Sequence, residues 1–127
     1  MAYNVLIVDD SLTARTFIAR TLEISGVPLN QVYQARNGQE ALDLLKHEWV
    51  DIVFADINMP VMNGVELVHQ MRALEVLKAV PVIIISTDRS VHRMNELKAA
   101  GVQAYLTKPL TPEELKSTVE RLLASPT

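Results

Sequence analysis

The chain contains no cysteine. That excludes disulfides, thiolate metal sites and a thiol nucleophile. Glycine is also scarce, with four residues at positions 26, 38, 64 and 101. Their spacing leaves no room for G-x-G-x-x-G or G-x-x-x-x-G-K, which argues against a Rossmann cofactor or a P-loop nucleotide. An excess of positive charge is missing: 12 Lys and Arg against 15 Asp and Glu give a net charge of -3. No basic field is present to hold nucleic acid. Long apolar runs are absent as well. The longest, Ala79 to Ile85, is interrupted by Pro81, and a membrane span needs about 20 apolar residues. The first basic residue, Arg15, follows Asp9 and Asp10, the reverse of a secretory signal. These absences predict a cytoplasmic chain with no membrane and no direct nucleic-acid partner.

The 127 residues, 49% of them hydrophobic and 21% charged, suit a single domain over 1–127. A chain of this length buries roughly two-thirds of its unfolded surface. Val5–Val8, Ile52–Ala55 and Val82–Ile85 are continuous apolar runs rich in β-branched residues, the pattern of strands covered on both faces. Val32–Ala35 and Ala104–Thr107 are weaker and read as strands nearer the edge.

Helical stripes alternate with these runs. Ala14, Ile18, Thr21, Leu22 and Ser25 share one face, with Gly26 at the C′ position. Asn37 and Glu40 read as a capping box opening a helix with Ala41, Leu44 and Leu45 inward. Leu67, Val68, Met71 and Leu74 form a third stripe after Gly64, and Val91, Met94, Leu97 and Ala100 a fourth ending at Gly101. Thr111-Pro112-Glu113-Glu114 starts a fifth helix, with Leu115, Val119, Leu122 and Leu123 inward. Gly26 to Gln31 reads as a surface loop without functional role. The sum is an α/β fold, (βα)5, a doubly wound, mostly parallel five-stranded sheet with helices on both faces.

In such sheets ligands sit beyond the carboxyl ends of the strands. Asp9 and Asp10 follow the first run, Asp56 the third, Ser86, Thr87 and Asp88 the fourth, and Lys108 and Pro109 the fifth. Alone, each is an ordinary cap, turn former or surface residue. Gathered on one edge, three carboxylates about 4 Å apart repel by roughly 4 kcal/mol per pair at an effective dielectric of 20. A divalent cation relieves that, and all-oxygen ligands favour Mg²⁺. A carboxylate beside Mg²⁺ can attack phosphorus and form an acyl phosphate, with an ammonium and a hydroxyl serving other phosphoryl oxygens. Asp56, after the central strand, is the nucleophile candidate. His47, His69 and His92 lie 22 and 23 residues apart and read as solvated helix residues rather than metal ligands.

Val8-Asp9-Asp10-Ser11, Asp56-Ile57-Asn58-Met59-Pro60-Val61-Met62-Asn63-Gly64, Ile85-Ser86-Thr87 and Tyr105-Leu106-Thr107-Lys108-Pro109 together resemble the receiver domain of two-component response regulators. In length the chain is similar to single-domain, CheY-like members. The resemblance spans about residues 4 to 124. It implies a flavodoxin-like/CheY-like fold with strand order 2-1-3-4-5. It further implies Asp56 as phosphoacceptor, with Mg²⁺ held by Asp9, Asp10, Asp56 and the backbone carbonyl of Asn58. Ser86 would turn its hydroxyl to the phosphoryl group and Lys108 would pair with a phosphoryl oxygen. Lys108-Pro109 would be a cis peptide, and Tyr105 the aromatic that swings inward on activation. Asn58, Thr87 and Asp88 lie where the family tunes hydrolysis of the phosphoryl group. The implied partners are a histidine kinase or phosphotransfer protein and a downstream protein read by the face of the fourth helix, fifth strand and fifth helix. The chain itself would be a monomer or weak dimer.

Two other functions stay open on sequence alone. An aspartate-nucleophile phosphohydrolase generally carries a second acid two residues past the nucleophile, and Asn58 stands there instead. A pseudo-receiver that binds a partner without phosphorylation typically lacks the acidic pair or the lysine, and both are present. A signalling module rather than an enzyme is expected. About three residues follow the receiver pattern, so an output module is not expected in this chain.

Overall fold

The computed structural model describes residues 2–123; the end of the receiver pattern at Ala124 and the tail from Ser125 to Thr127 lie outside the described residues. Ten elements alternate: β1 (Tyr3–Val8), α1 (Leu12–Ser25), β2 (Leu29–Ala35), α2 (Gly38–Leu45), β3 (Ile52–Ala55), α3 (Gly64–Ala73), β4 (Val82–Ser86), α4 (Val91–Ala100), β5 (Ala104–Thr107) and α5 (Pro112–Leu123). The strands form one parallel sheet in the order β2-β1-β3-β4-β5, as expected.

Strand periodicity explains why Val5–Val8, Ile52–Ala55 and Val82–Ile85 in the three central strands are apolar at every position. Successive side chains point to opposite faces. Val5, Ile7, Ile52, Phe54, Ile83 and Ile85 pack on one side against α1 and α5, through Ile18, Leu22, Leu115 and Val119. Leu6, Val8, Val53, Ala55, Val82 and Ile84 pack on the other side against α2, α3 and α4, through Leu42, Leu45, Leu67, Met71 and Leu97. Each fully buried Val, Leu or Ile contributes about 1.5–3 kcal/mol of transfer free energy.

The helix ends follow local chemistry. Ser11 Oγ accepts from Ala14 N–H at the start of α1, and Gly26, at φ 85°, closes it in the left-handed region. Thr111 Oγ1 accepts from Glu114 N–H at the start of α5.

Several boundaries differ from the sequence reading. β2 begins at Leu29, so the connection after α1 is shorter than Gly26 to Gln31; Tyr3 N–H donates to Pro28 O and Tyr3 pairs with Leu29, which recruits those polar residues into an edge strand. The capping box proposed at α2 is incomplete. Asn37 accepts from Glu40 N–H, but Glu40 reaches past it to Arg36 N–H because the Arg36 guanidinium holds its carboxylate. A complete capping box opens α3 instead, through Asn63 and Glu66. In α2, Leu42 is buried and Leu44 only half-buried. Val91 is 70% exposed rather than inward. β4 stops at Ser86, so the first turn of α4 has no strand beneath it, and Leu97 is the only buried residue of that helix. His47 lies in the turn after α2, while His69 and His92 are on helices; all three are exposed.

The amino edge of the sheet is fastened by Arg72. Its guanidinium donates to the carbonyls of Gly101 (2.8 Å) and Val80 (3.0 Å) and to Gln103 Oε1 (3.0 Å). Gln103 Oε1 also accepts from Val82 N–H. This ties the ends of α3 and α4 to the starts of β4 and β5.

Candidate functional site

The sheet order reverses between β1 and β3, and the residues after those strands flank the crevice. Asp9 continues the ladder through its N–H to Ala35 O, and Asp56 through its N–H to Val8 O. The backbone therefore aims both carboxylates into one space. Carboxylate oxygens of Asp9, Asp10 and Asp56 lie within 4.8 Å of one another, the only such acidic cluster among the described residues. At that distance each charge pair repels by roughly 3 kcal/mol at an effective dielectric of 20, less for the exposed Asp10.

The most constrained member is Asp9, at 2% exposure. Its Oδ1 accepts from Ser11 N–H at 2.9 Å. Its Oδ2 is buried without a hydrogen-bond partner, and Lys108 Nζ stands 3.8 Å away. Burial pushes the Asp9 carboxyl above its ordinary value; the Ser11 N–H opposes this, the Asp56 charge adds to it, Lys108 opposes it and Asp10 adds to it. A buried anionic oxygen with no donor is costly to leave unmade. This donor set, all oxygen and facing one space, fits a hard divalent cation.

Asp56 is half-buried, and its Oδ1 accepts from Ile57 N–H at 2.8 Å. Behind it the chain passes very close. A Cβ on Gly64 would stand 2.4 Å from Asp56 O, so only glycine permits this approach. Gly64 N–H donates to Ile57 O. The intervening loop turns tightly at Val61, where Met62 N–H donates to Pro60 O (2.7 Å) and φ is 68°. For a β-branched residue that is a strained conformation. Gly38 N–H in turn donates to Met62 O at 2.8 Å, anchoring the loop to α2. Asn58 is exposed on this loop.

Ser86 is 2% exposed at the end of β4, and its Oγ accepts from Asp88 N–H. The Asp88 carbonyl accepts from Tyr105 Oη at 2.5 Å. Tyr105 is thus already turned toward the β4–α4 loop, and burial pushes its phenol above the ordinary value. The Asp88 carboxylate accepts from Ser90 N–H and lies 3.9 Å from Arg93. Thr87 is exposed beside it. The Lys108–Pro109 bond is cis.

The structure thus brings Asp9, Asp10, Asp56 and Lys108 together and links Ser86 to Tyr105 through Asp88. Sequence reasoning passed over Arg15, which is 8% exposed with its Nη1 2.6 Å from Asp9 O. The signal was available. Arg15 sits three and seven residues before Ile18 and Leu22, on the inward stripe of α1, and a charged residue there requires a polar partner.

Fold and site define a doubly wound α/β domain with an acidic, cation-fitting crevice at its switch point. Similarity to known proteins narrows that class. Residues 5–120 match the response regulator receiver domain family, and the chain belongs to that family as a CheY-like receiver of two-component signalling. It is 40% identical over 123 residues to a chemotaxis protein CheY homolog of Campylobacter jejuni, covering 96% of this chain and 93% of that protein. The structure of chemotaxis response regulator CheY4 of Vibrio cholerae superposes with a TM-score of 0.85 at 36% identity, covering 97% of this chain and all of the other. The phosphorylated cyanobacterial phytochrome response regulator RcpA gives a TM-score of 0.83 at 25% identity, covering 100% of this chain and 98% of that one. No helix among the described residues is long and apolar enough to cross a membrane.

Proposed function

We propose that this chain, read as one receiver over 1–127, carries its signal as a phosphoryl group on Asp56. The observation that supports this best is the unpartnered, buried Asp9 Oδ2 facing two further carboxylates. Asp9, Asp10, Asp56 and the Asn58 carbonyl would hold Mg²⁺. When bound, the ion would neutralise phosphoryl oxygens and orient the donor.

The chain's own residues do the rest. A carboxylate oxygen of Asp56 attacks the phosphorus of a phosphohistidine donor. The P–N bond breaks, its electron pair returns to the imidazole nitrogen, and an acyl phosphate forms. Lys108 places its ammonium against one phosphoryl oxygen. Ser86 Oγ, an acceptor from Asp88 N–H, would turn its own proton from the Tyr105 oxygen to another phosphoryl oxygen. Its movement pulls on Asp88, and so on the carbonyl that holds Tyr105. The result is a reshaped α4-β5-α5 surface for a downstream protein. Asn58, Thr87 and Asp88 flank the path of the water that later hydrolyses the group. A histidine kinase or phosphotransfer protein supplies the phosphoryl group in the cytoplasm, and the receiver works as a monomer or weak dimer. The phosphorylated state of RcpA supports the same assignment.

The test is incubation with Mg²⁺ and acetyl phosphate, followed by intact mass. One alkali-labile phosphate per chain that disappears in Asp56→Asn is expected. An unmodified mass with Mg²⁺ present refutes the proposal. Trp49 is exposed and remote from Asp56, with its Nε1 on Asp51, so its fluorescence is a poor reporter.

A further inference from the structure

We propose that Arg15 is a positioning residue for the cation site, fixing the Asp9 main chain so that the Asp9 and Asp10 carboxylates meet one ion. This rests on the reading of the acidic crevice as an ion site.

Asp9 makes the last rung to β2 with its N–H, to Ala35 O at 3.1 Å. Its carbonyl lies where the chain leaves the sheet, and Arg15 Nη1 meets it at 2.6 Å. The same guanidinium is held from the other side by Gln34 Oε1, which accepts from Nε at 2.9 Å. Arg15 is 8% exposed, and among the described residues no carboxylate pairs with it. Both its partners are neutral oxygens, one just past the end of β1 and one on β2. The fork therefore bridges two strands across the turn that carries Asp9 and Asp10.

Charge and geometry push in opposite directions here. A cation buried against the Asp9 carbonyl opposes the binding of another cation nearby by simple repulsion. Lys108 already supplies one positive charge to Asp9 Oδ2, so a second serves no purpose in neutralising that oxygen. Its contribution is orientation of the Asp9–Asp10 peptide, as partners behind metal ligands commonly provide. Removing Arg15 thus separates two outcomes by sign. Loss of a bystander charge tightens Mg²⁺ binding, whereas loss of a positioning group weakens it.

The experiment is calorimetric titration of Mg²⁺ into the wild-type chain and into Arg15→Met and Arg15→Lys, with circular dichroism and thermal melting of each ion-free protein. Arg15→Met is expected to raise the Mg²⁺ Kd about 10-fold despite removing a positive charge, and Arg15→Lys, which keeps the charge but not the fork, to recover only part of that loss. An unchanged or lower Kd in folded Arg15→Met overturns the proposal. If Arg15→Met fails to fold, Gln34→Leu decides: it keeps the charge and releases the Nε anchor, so an Mg²⁺ Kd raised about 3-fold supports the proposal and an unchanged Kd overturns it. Absence of saturable Mg²⁺ binding in the wild type is a different result, and removes the ion site itself along with the role given to Arg15.

Discussion

Gly64→Ala puts a methyl group where the backbone of the proposed phosphoacceptor, Asp56, already lies. The added Cβ would stand 2.4 Å from Asp56 O, 3.1 Å from Ile57 Cα and 3.2 Å from Asp56 C. All three atoms are main chain, so no side chain can turn aside. Ordinary contact begins at 3.4 Å, and the chain must open by 3.4 − 2.4 = 1.0 Å. Overpacking of this kind costs about 2 kcal/mol, which lowers the melting temperature of a chain this size by about 8 °C. A misplacement near 1 Å at a reacting group costs up to about 100-fold in rate. If Asp56 and Gly64 share the movement, phosphorylation by acetyl phosphate slows at least about 10-fold.

Gly26→Ala is the matched control. Nothing lies within 4 Å of its added Cβ, and only the positive φ of 85° opposes it. It should cost about 1 kcal/mol and leave the phosphorylation rate unchanged, because the C-terminus of α1 is at the far edge of the sheet. Melting curves and a time course of phosphorylated mass test both variants. Equal rates for Gly64→Ala and wild type refute the close-approach reasoning, whatever the stability change.

Three further outcomes follow from the geometry. Asp9→Asn removes one of three crowded charges and keeps an acceptor for Ser11 N–H, so the ion-free protein should gain about 1 kcal/mol while the melting shift caused by Mg²⁺ disappears; a destabilised ion-free variant counts against charge crowding. Val61→Asn tolerates the φ of 68° better than valine and should stabilise the chain by about 1 kcal/mol in urea unfolding, whereas a loss shows that the turn is not strained. The Tyr105 phenol is held above its ordinary value of 10.0 by burial. The folded state therefore keeps the proton longer than the unfolded chain, and this contribution to stability is present below pH 10 and lost as pH rises through the folded value; absorbance titration against Tyr105→Phe checks it, and a Tyr105 midpoint at or below 10 refutes it.

The central sheet was readable because its signal is local. Val5–Val8, Ile52–Ala55 and Val82–Ile85 declare two-sided burial without reference to other segments, and the chemistry-bearing residues fall at once at their carboxyl ends. Asp9, Asp56 and Ser86 could be placed on one edge for that reason. The misread features depend on partners distant in sequence. Leu29 joins β2 because Tyr3 pairs with it. Glu40 caps Arg36 rather than Asn37 because an arginine side chain outcompetes a cap. Val91 fits a helical stripe, yet the strand beneath that stripe ends too soon. Arg15 and Arg72 donate to carbonyls on other elements, and no spacing rule records a carbonyl. The strain at Val61 comes from the main chain alone, so its side chain gave no sign of it.

One of the ten side chains of α4 is buried, and it is Leu97 near the fastened end. Arg72 grips that end through Gly101, while the opposite end is held by its cap and by Asp88. Most positions of α4 can therefore change identity without disturbing the core. The helix at the proposed partner face is thus the part of the molecule where substitutions cost the least folding stability. A lineage can acquire a new partner there while Asp9, Asp56 and Lys108, set by the sheet, stay as they are.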